Sequence, residues 1–258
     1  MRPVLIQFAG LGIPSYGLML VISFLVALWL VRRTAKKFDI APSTIDDLAF
    51  YIMLGVIIGG RLLYVLFHWQ QYENDLLGIL RIWEGGMIFF GGFLGGLLAG
   101  IIYLKKVQKP ILQMADIIAP AIALGEFFTR IGCFLNGCCF GISSNLPWAV
   151  KFPEECIAGS SPVGDHPLHP TQLYASLFGL LLFFFLTKKL YKTHRPGEIF
   201  SLYLIFSGFF RFGVDYIRYY ENSANFLINQ AISLGLIIAG IVILVKASKK
   251  NIARQTSS

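Results

Sequence analysis

The sequence predicts an all-α polytopic integral membrane protein with seven transmembrane helices, the N-terminus outside and the C-terminus inside. Its composition is the first reason. Of the 258 residues, 56% are hydrophobic and only 14% are charged, and the mean hydropathy is +0.67. Soluble domains carry about 25% charged residues, so this chain has the composition of a membrane protein.

The second reason is a series of apolar stretches. A spanning helix needs about 20 largely apolar residues. Stretches of this kind occur at 14–31, 46–67, 86–104, 111–135, 171–187, 197–217 and 226–246. They leave short connectors and one outward loop at about 136–170, so we expect a single membrane domain over 1–258. The first stretch runs into Arg32 and Arg33 without a small-residue cleavage site, which favours a retained helix over a signal peptide.

The third reason is the position of the positive charge. The formal net charge is +8, and the basic residues cluster in every second connector. The clusters are Arg32, Arg33, Lys36 and Lys37; Lys105, Lys106 and Lys109; Lys188, Lys189, Lys192 and Arg195; and Lys246, Lys249, Lys250 and Arg254. The positive-inside rule places these segments in the cytoplasm. Because they lie at helix ends, not on one face of a soluble domain, we expect no nucleic-acid partner.

Several ionisable residues lie within the spans, where a central charge costs about 2.5–3.5 kcal/mol on insertion scales. They are Arg61, Glu126, Arg130, Arg211, Asp215 and Arg218. The arginines outnumber the acids, and a guanidinium offers forked donors that match phosphate oxygens. In a membrane the abundant anion is a phospholipid headgroup. The alternative is that Glu126–Arg130 and Arg211–Asp215 are intrahelical pairs that only neutralise one another.

Glycines and polar residues add further candidates. Gly91 and Gly92 either allow close helix packing or let a headgroup approach the backbone. Asn136, Gly137 and Gly141 open the outer loop, where they form a turn or line a site.

His169 precedes Pro170 and the fifth span, so it either caps that helix or takes part in catalysis.

The cysteines do not have the spacing of a structural zinc site. Cys138 and Cys139 are adjacent, Cys133 precedes them and Cys156 is distant, without the paired two-residue gaps of zinc ligands. We therefore expect no metal. Cys156 either forms a disulfide with one of the loop pair or is a small buried residue without a redox role.

Taken together, these segments resemble the prolipoprotein diacylglyceryl transferase family. The segments that carry the resemblance are Tyr16-Gly17-Leu18-Met19, Gly60-Arg61-Leu62, Trp83-Glu84-Gly85-Gly86-Met87 with Gly91-Gly92, Arg130-Ile131-Gly132-Cys133-Phe134-Leu135-Asn136-Gly137 with Gly141, His169-Pro170-Thr171-Gln172-Leu173-Tyr174, and Phe210-Arg211 through Arg218. They follow the family's order from about residue 14 to 220.

The resemblance implies a reaction and its participants. The partners are phosphatidylglycerol and the lipobox cysteine of a preprolipoprotein, the leaving group is glycerol phosphate, and no cofactor or metal is needed. The enzyme would sit in the bacterial cytoplasmic (inner) membrane with its active site toward the outer face.

The resemblance also implies residue roles. Arg130 would bind the phosphate, Arg211 would be a second cation near the transferring carbon, and Tyr16 would be a third catalytic candidate. Tyr16 and Gly141 would shape the pocket. The expected substrate contacts are Arg130, Arg61, Asn136, Gly137, Gly141, Gly91, Gly92, His169, Gln172, Asp215 and Arg218.

The chain departs from the family pattern at four positions. Phe90 stands where a histidine is often found, Cys133 and Cys138 replace an asparagine and an acidic residue of the signature segment, and Asp215 replaces a glutamate. Without that histidine, either another group is the base or the arginines acidify the acceptor thiol.

Two rival functions differ in class. A transporter or channel could also place arginines in the membrane, although we find neither inverted repeats nor broken helices. A divergent paralogue could keep the lipid site and use another acceptor.

Overall fold

The computed structural model describes residues 4–8, 11–73 and 75–255. In this part of the chain, seven α-helices are long and apolar enough to cross a membrane, which confirms the predicted polytopic all-α fold. They are α1 (Ser15–Lys36), α2 (Pro42–Phe67), α3 (Phe89–Lys106), α4 (Ile111–Asn136), α5 (Thr171–Leu190), α6 (Glu198–Val214) and α7 (Ser223–Gln255). A short antiparallel hairpin of β1 (Val4–Phe8) and β2 (Leu11–Pro14) precedes α1 and was not predicted.

Each helix coincides with one predicted span, and the differences are at the ends. α1 continues through the basic residues to Lys36, five residues beyond the predicted end. Lysine and arginine are good helix formers and interact favourably with the C-terminal end of the helix dipole. Hydropathy locates the apolar core of a span, and the charged last turn is added beyond it.

The chain divides into two compact units, each of which is described by itself. One comprises Met1–Val31 with Ala115–Ser258, and the other comprises Arg32–Met114. The expectation of a single membrane domain over 1–258 stays a prediction.

In the unit Arg32–Met114, α2 and α3 pack through glycines. A Cβ built on Gly91 would lie 2.3 Å from the carbonyl oxygen of Gly59, and one on Gly95 would lie 2.2 Å from that of Gly55. Backbones this close leave no room for a side chain, so the pair has the small-residue interface common between membrane helices.

In the other unit, α1, α4, α5 and α6 bring one end of each helix together. Gly132 of α4 lies against Met19 of α1, with 2.9 Å between a Cβ built on the glycine and the Met19 Cβ. Gly141, after α4, forms a backbone bridge with Arg218, after α6.

The opposite ends of α4 and α6 are joined by the buried carboxylate of Asp116, which accepts hydrogen bonds from the backbone N–H of Gly197 (2.6 Å) and of Phe200 (2.8 Å). These donors are free N–H groups at the start of α6, so Asp116 caps that helix from a neighbouring one.

The loop between α4 and α5 has a small core of its own. Its buried members are Phe140, Phe152, Cys156, Ala158 and Leu168. Leu168 also forms backbone bridges with Ser143 and Val150. The loop is therefore held in one conformation beside the helix ends that carry the candidate site.

Candidate active site

Arg130 and Arg211 lie on α4 and α6 with Glu126 within electrostatic reach of both. Glu126 accepts a hydrogen bond from the Tyr203 hydroxyl at 3.1 Å. Within the described residues, no carboxylate oxygen lies within 4.0 Å of either arginine's side-chain nitrogens. One acid thus faces two arginines, which leaves a net positive charge at this point.

Arg211 has an unused donor. One terminal nitrogen donates to the Asn229 side chain on α7, while its Nε is buried and has no partner in the described part of the chain. A buried donor without an acceptor costs about 1–3 kcal/mol. Such an atom fits a site that is completed by an oxygen of a ligand.

The intrahelical alternative required an ion pair between Asp215 and Arg211, and the structure does not contain that pair. Its Oδ1 accepts a hydrogen bond from the Tyr220 hydroxyl at 2.7 Å and lies 4.0 Å from Nη1 of Arg218. Burial, followed by the hydrogen bond to Asp215, raises the pKa of Tyr220 to about 12, so the phenol keeps its proton. Asp215 is therefore held by Tyr220 and Arg218 and does not neutralise Arg211, whose nearby acid is Glu126.

Asn136 and Gly137 form the turn that ends α4. Gly137 has φ +70°, and a Cβ there would lie 2.6 Å from both the Cβ and the Sγ of Cys156. Only glycine fits such a position without strain. The Asn136 side chain lies near the Cys138 thiol, so it is part of the site as well as of the turn.

Gly141 joins three segments. Its N–H donates to the carbonyl of His169 at 2.9 Å, and a Cβ there would lie 2.5 Å from the carbonyl oxygen of Ile217. The His169 ring lies 3.3 Å from the Tyr174 hydroxyl through Nδ1. The side chain of His169 does not cap α5, whose N-cap residue is Pro170.

Gln172 is buried under the turn after α4. Its side chain is 1% exposed, and its Nε2 donates to the carbonyl of Cys138 at 2.8 Å. Its Oε1 has no partner among the described residues, so the site offers an acceptor as well as the free donor of Arg211.

Tyr16, at the start of α1, is 37% exposed and lies within electrostatic reach of Arg130 and of Cys133, Cys138 and Cys139. The structure thus brings Tyr16, Arg130, Asn136, Gly137, Gly141, His169, Gln172, Arg211, Asp215 and Arg218 into one unit.

Arg61 lies in the unit Arg32–Met114, where its guanidinium binds four backbone carbonyls. It donates to Gly78 (2.6 Å), Ile79 (2.8 Å), Gly85 (2.6 Å) and Gly86 (3.1 Å), and it is 6% exposed. All three of its nitrogens are used in holding the segment between α2 and α3. These bonds use four of the five N–H groups of the guanidinium, so Arg61 holds the fold at this point, and its predicted substrate contact stays a prediction.

Gly91 and Gly92 lie in the same unit as Arg61, buried between α2 and α3. Close packing is the alternative that the structure shows, and their contact with a headgroup stays a prediction.

Comparison with known proteins gives the family. The family model of prolipoprotein diacylglyceryl transferase matches residues 3–246. The chain is 36% identical over 257 residues to a Vibrio atlanticus protein, covering 96% of this chain and 91% of the relative. It is 37% identical over 245 residues to a Clostridium tetani protein (94% and 96%) and 38% identical over 254 residues to a Glaesserella parasuis protein (95% and 92%). All three are named phosphatidylglycerol–prolipoprotein diacylglyceryl transferase.

The chain belongs to the prolipoprotein diacylglyceryl transferase family. The resemblance drawn from the sequence segments is thereby confirmed. The residue roles that it implied remain predictions, and the geometry above supports those of Arg130 and Arg211 most strongly.

One feature of this family member was missed by sequence reasoning. The sulfurs of Cys133, Cys138 and Cys139 lie within 4.8 Å of one another, and all four cysteines are free thiols. The disulfide considered for Cys156 is therefore not formed in this structure. The sequence signal for the cluster is the Asn136-Gly137 turn between the cysteines. This turn reverses the chain and returns the two loop cysteines to the helix end that carries Cys133.

Proposed function

We propose that this chain transfers the diacylglyceryl group of phosphatidylglycerol to the lipobox cysteine thiol of preprolipoproteins, the first step of lipoprotein maturation. The observation that carries the proposal is the pair Arg130 and Arg211, which share a single nearby acid, with a buried unpaired donor on Arg211. Such a pair suits the phosphate of a lipid headgroup.

The transfer is a substitution at the glyceryl carbon that carries the phosphate. The thiolate sulfur forms a bond to this carbon, the carbon–oxygen bond breaks, and its electron pair leaves with glycerol phosphate. Arg130 holds the phosphate, and Arg211 stabilises the negative charge that grows on the departing oxygen. Preorganised donors of this kind commonly account for much of an enzyme's rate enhancement.

The acceptor thiol must lose its proton before it attacks, since the thiolate is the nucleophile. Phe90 cannot accept a proton, so another group has to do so or the field of the arginines has to lower the thiol's pKa. His169 is a candidate for the base. It lies in the same unit as Arg130 and Arg211, with its ring beside the Tyr174 hydroxyl.

In this proposal, the helix ends that carry the candidate site face the outer side of the bacterial cytoplasmic membrane. Lys188 and Lys189 lie in the last turn of α5 and Lys192 follows it, at the opposite end of that helix from Thr171 and Gln172. The positive-inside rule then puts the arginine pair in the outer leaflet, where a lipoprotein precursor presents its cysteine.

The test uses the purified full chain in phosphatidylglycerol-containing micelles with a synthetic lipobox peptide. We expect the peptide to gain the mass of one diacylglyceryl group, with glycerol phosphate released in equal amount. A peptide with the cysteine replaced by serine is the control. The proposal is overturned if the peptide is unchanged while the protein binds phosphatidylglycerol normally, the outcome expected of a paralogue with another acceptor.

A further inference from the structure

Three thiols converge at the C-terminal end of α4. Cys133 is buried in the last turns of the helix, and Cys138 and Cys139 are partly buried in the turn that follows. Their sulfurs lie within 4.8 Å of one another. The reaction described above assigns no role to any of them.

Hydrogen bonds to the backbone of the turn hold the three cysteines in place. The N–H of Cys138 donates to the carbonyl of Cys133 at 3.0 Å, which fixes the turn. From α5, Gln172 donates to the carbonyl of Cys138 at 2.8 Å, and the Thr171 hydroxyl donates to that of Cys139 at 2.7 Å.

Cys139 has φ +62°, a conformation that non-glycine residues adopt only when their surroundings enforce it. The hydrogen bond from Thr171 of α5 helps to hold this strained backbone in place.

We propose that Cys133, Cys138 and Cys139 form a three-thiolate site for a soft, thiophilic metal ion such as Zn²⁺. Zinc–sulfur bonds of about 2.3 Å place the sulfurs of a tetrahedral site about 3.8 Å apart, so the observed triangle needs to contract by 1 Å at most. Three protein ligands leave the fourth position open to water or another donor. The thiols release their protons to solvent as the ion binds.

The charges around the cluster favour such a site. Three thiolates and one divalent ion carry a net negative charge, and both Arg130 and Arg218 lie within electrostatic reach of Cys139.

Cys156 provides a matched control. It is a buried free cysteine next to the same turn, but it is not part of the sulfur triangle, and its thiol donates to the carbonyl of Pro153 at 3.0 Å. A serine can make the same hydrogen bond, so Cys156→Ser removes a thiol without touching the proposed ligands.

The experiment titrates the full-length protein with Cd²⁺ and Zn²⁺ in detergent, under reducing conditions and after removal of any affinity tag. We expect one ion per chain, with the ultraviolet charge-transfer band of cadmium thiolates. Cys133→Ser, Cys138→Ser and Cys139→Ser should each weaken binding by about 10-fold or more, a loss as large as that caused by removing supporting groups around metal ligands, while Cys156→Ser binds as the wild type does.

Two results would overturn the proposal. One is a binding curve that is the same in the wild type and in the triple variant Cys133→Ser/Cys138→Ser/Cys139→Ser. The other is thiol counting on protein taken from membranes without reductant that finds two of the three cysteines joined in a disulfide. Because the readout is metal binding, failure of the transferase assay has no influence on it; any variant that does not fold is identified by its elution profile and replaced by the corresponding alanine variant.

Discussion

Arg130 and Arg211 are the residues on which the proposed chemistry depends. They lie in one unit of the chain, and neither makes an ion pair with any carboxylate in the described residues. A guanidinium presents two parallel donors to a phosphate, whereas an ammonium acts as a point charge.

We therefore expect Arg130→Lys and Arg211→Lys to lose most activity although the charge is kept. Charged hydrogen bonds contribute about 1.5–3 kcal/mol each, so the loss of one corresponds to roughly 10-fold to 150-fold in rate. Asp215→Asn should cost less, because an amide oxygen still accepts from Tyr220. The measurement is the peptide-transfer rate at fixed phosphatidylglycerol.

Arg81→Lys is the control for these variants. Arg81 lies outside the helices, where it pairs with Asp75 and Glu84 at the surface. Near wild-type rates in Arg130→Lys and Arg211→Lys, at normal protein levels, would show that the two arginines do not bind the phosphate.

Phe90 gives a second prediction at the residue scale. It should tolerate replacement by tyrosine or leucine with modest loss, because a phenyl ring moves no proton and acts through its shape. If the arginines alone acidify the thiol, the rate follows the ionisation of the acceptor, without an enzyme group titrating near the usual histidine pKa of about 6.5.

His169→Gln decides between the two ways of activating the thiol. The expected result is an unchanged pH profile of the transfer rate. A large loss of activity, together with disappearance of a near-neutral titration seen in the wild type, would instead identify His169 as the base.

At the scale of elements, the α2–α3 pair allows a test of packing. Gly91→Ala should destabilise the protein by about 1–3 kcal/mol, the usual cost of overpacking, because the added Cβ would lie 2.3 Å from the carbonyl oxygen of Gly59. Gly235→Ala is the control, since a Cβ there meets nothing within 4 Å. Thermal unfolding in detergent measures both. Equal midpoints in the two variants would contradict the packing described here.

The same elements show what the sequence predicts well. The spans were predictable because each is a long run of apolar residues, and the basic connectors follow from charge alone. The partners of Arg61 were not predictable, because the four carbonyls between α2 and α3 are backbone groups and carry no residue-specific signal. The thiol cluster was missed because the spacing of its cysteines matches no known metal-site pattern. The three sulfurs come together only through the turn at Gly137.

For the whole molecule, the proposed reaction requires one orientation in the membrane. The loop that follows α4 should be outside, and the basic ends of α3 and α5, with Lys106 and Lys189, should be inside, because basic segments remain in the cytoplasm. Phosphatase fusions should be active after residue 150 and inactive after Lys106 or Lys189. The reverse pattern would place the arginine pair in the wrong leaflet.

In the cell, this chain should work as a lipoprotein diacylglyceryl transferase. The most direct measurement is complementation of a bacterial strain depleted of its own transferase, with the electrophoretic mobility of a reporter lipoprotein as readout. The account predicts that the wild-type chain restores growth and the mobility of the modified lipoprotein, and that the Arg130→Lys chain, expressed at the same level, does not. Accumulation of the unmodified precursor with the wild-type chain present in the membrane would contradict it.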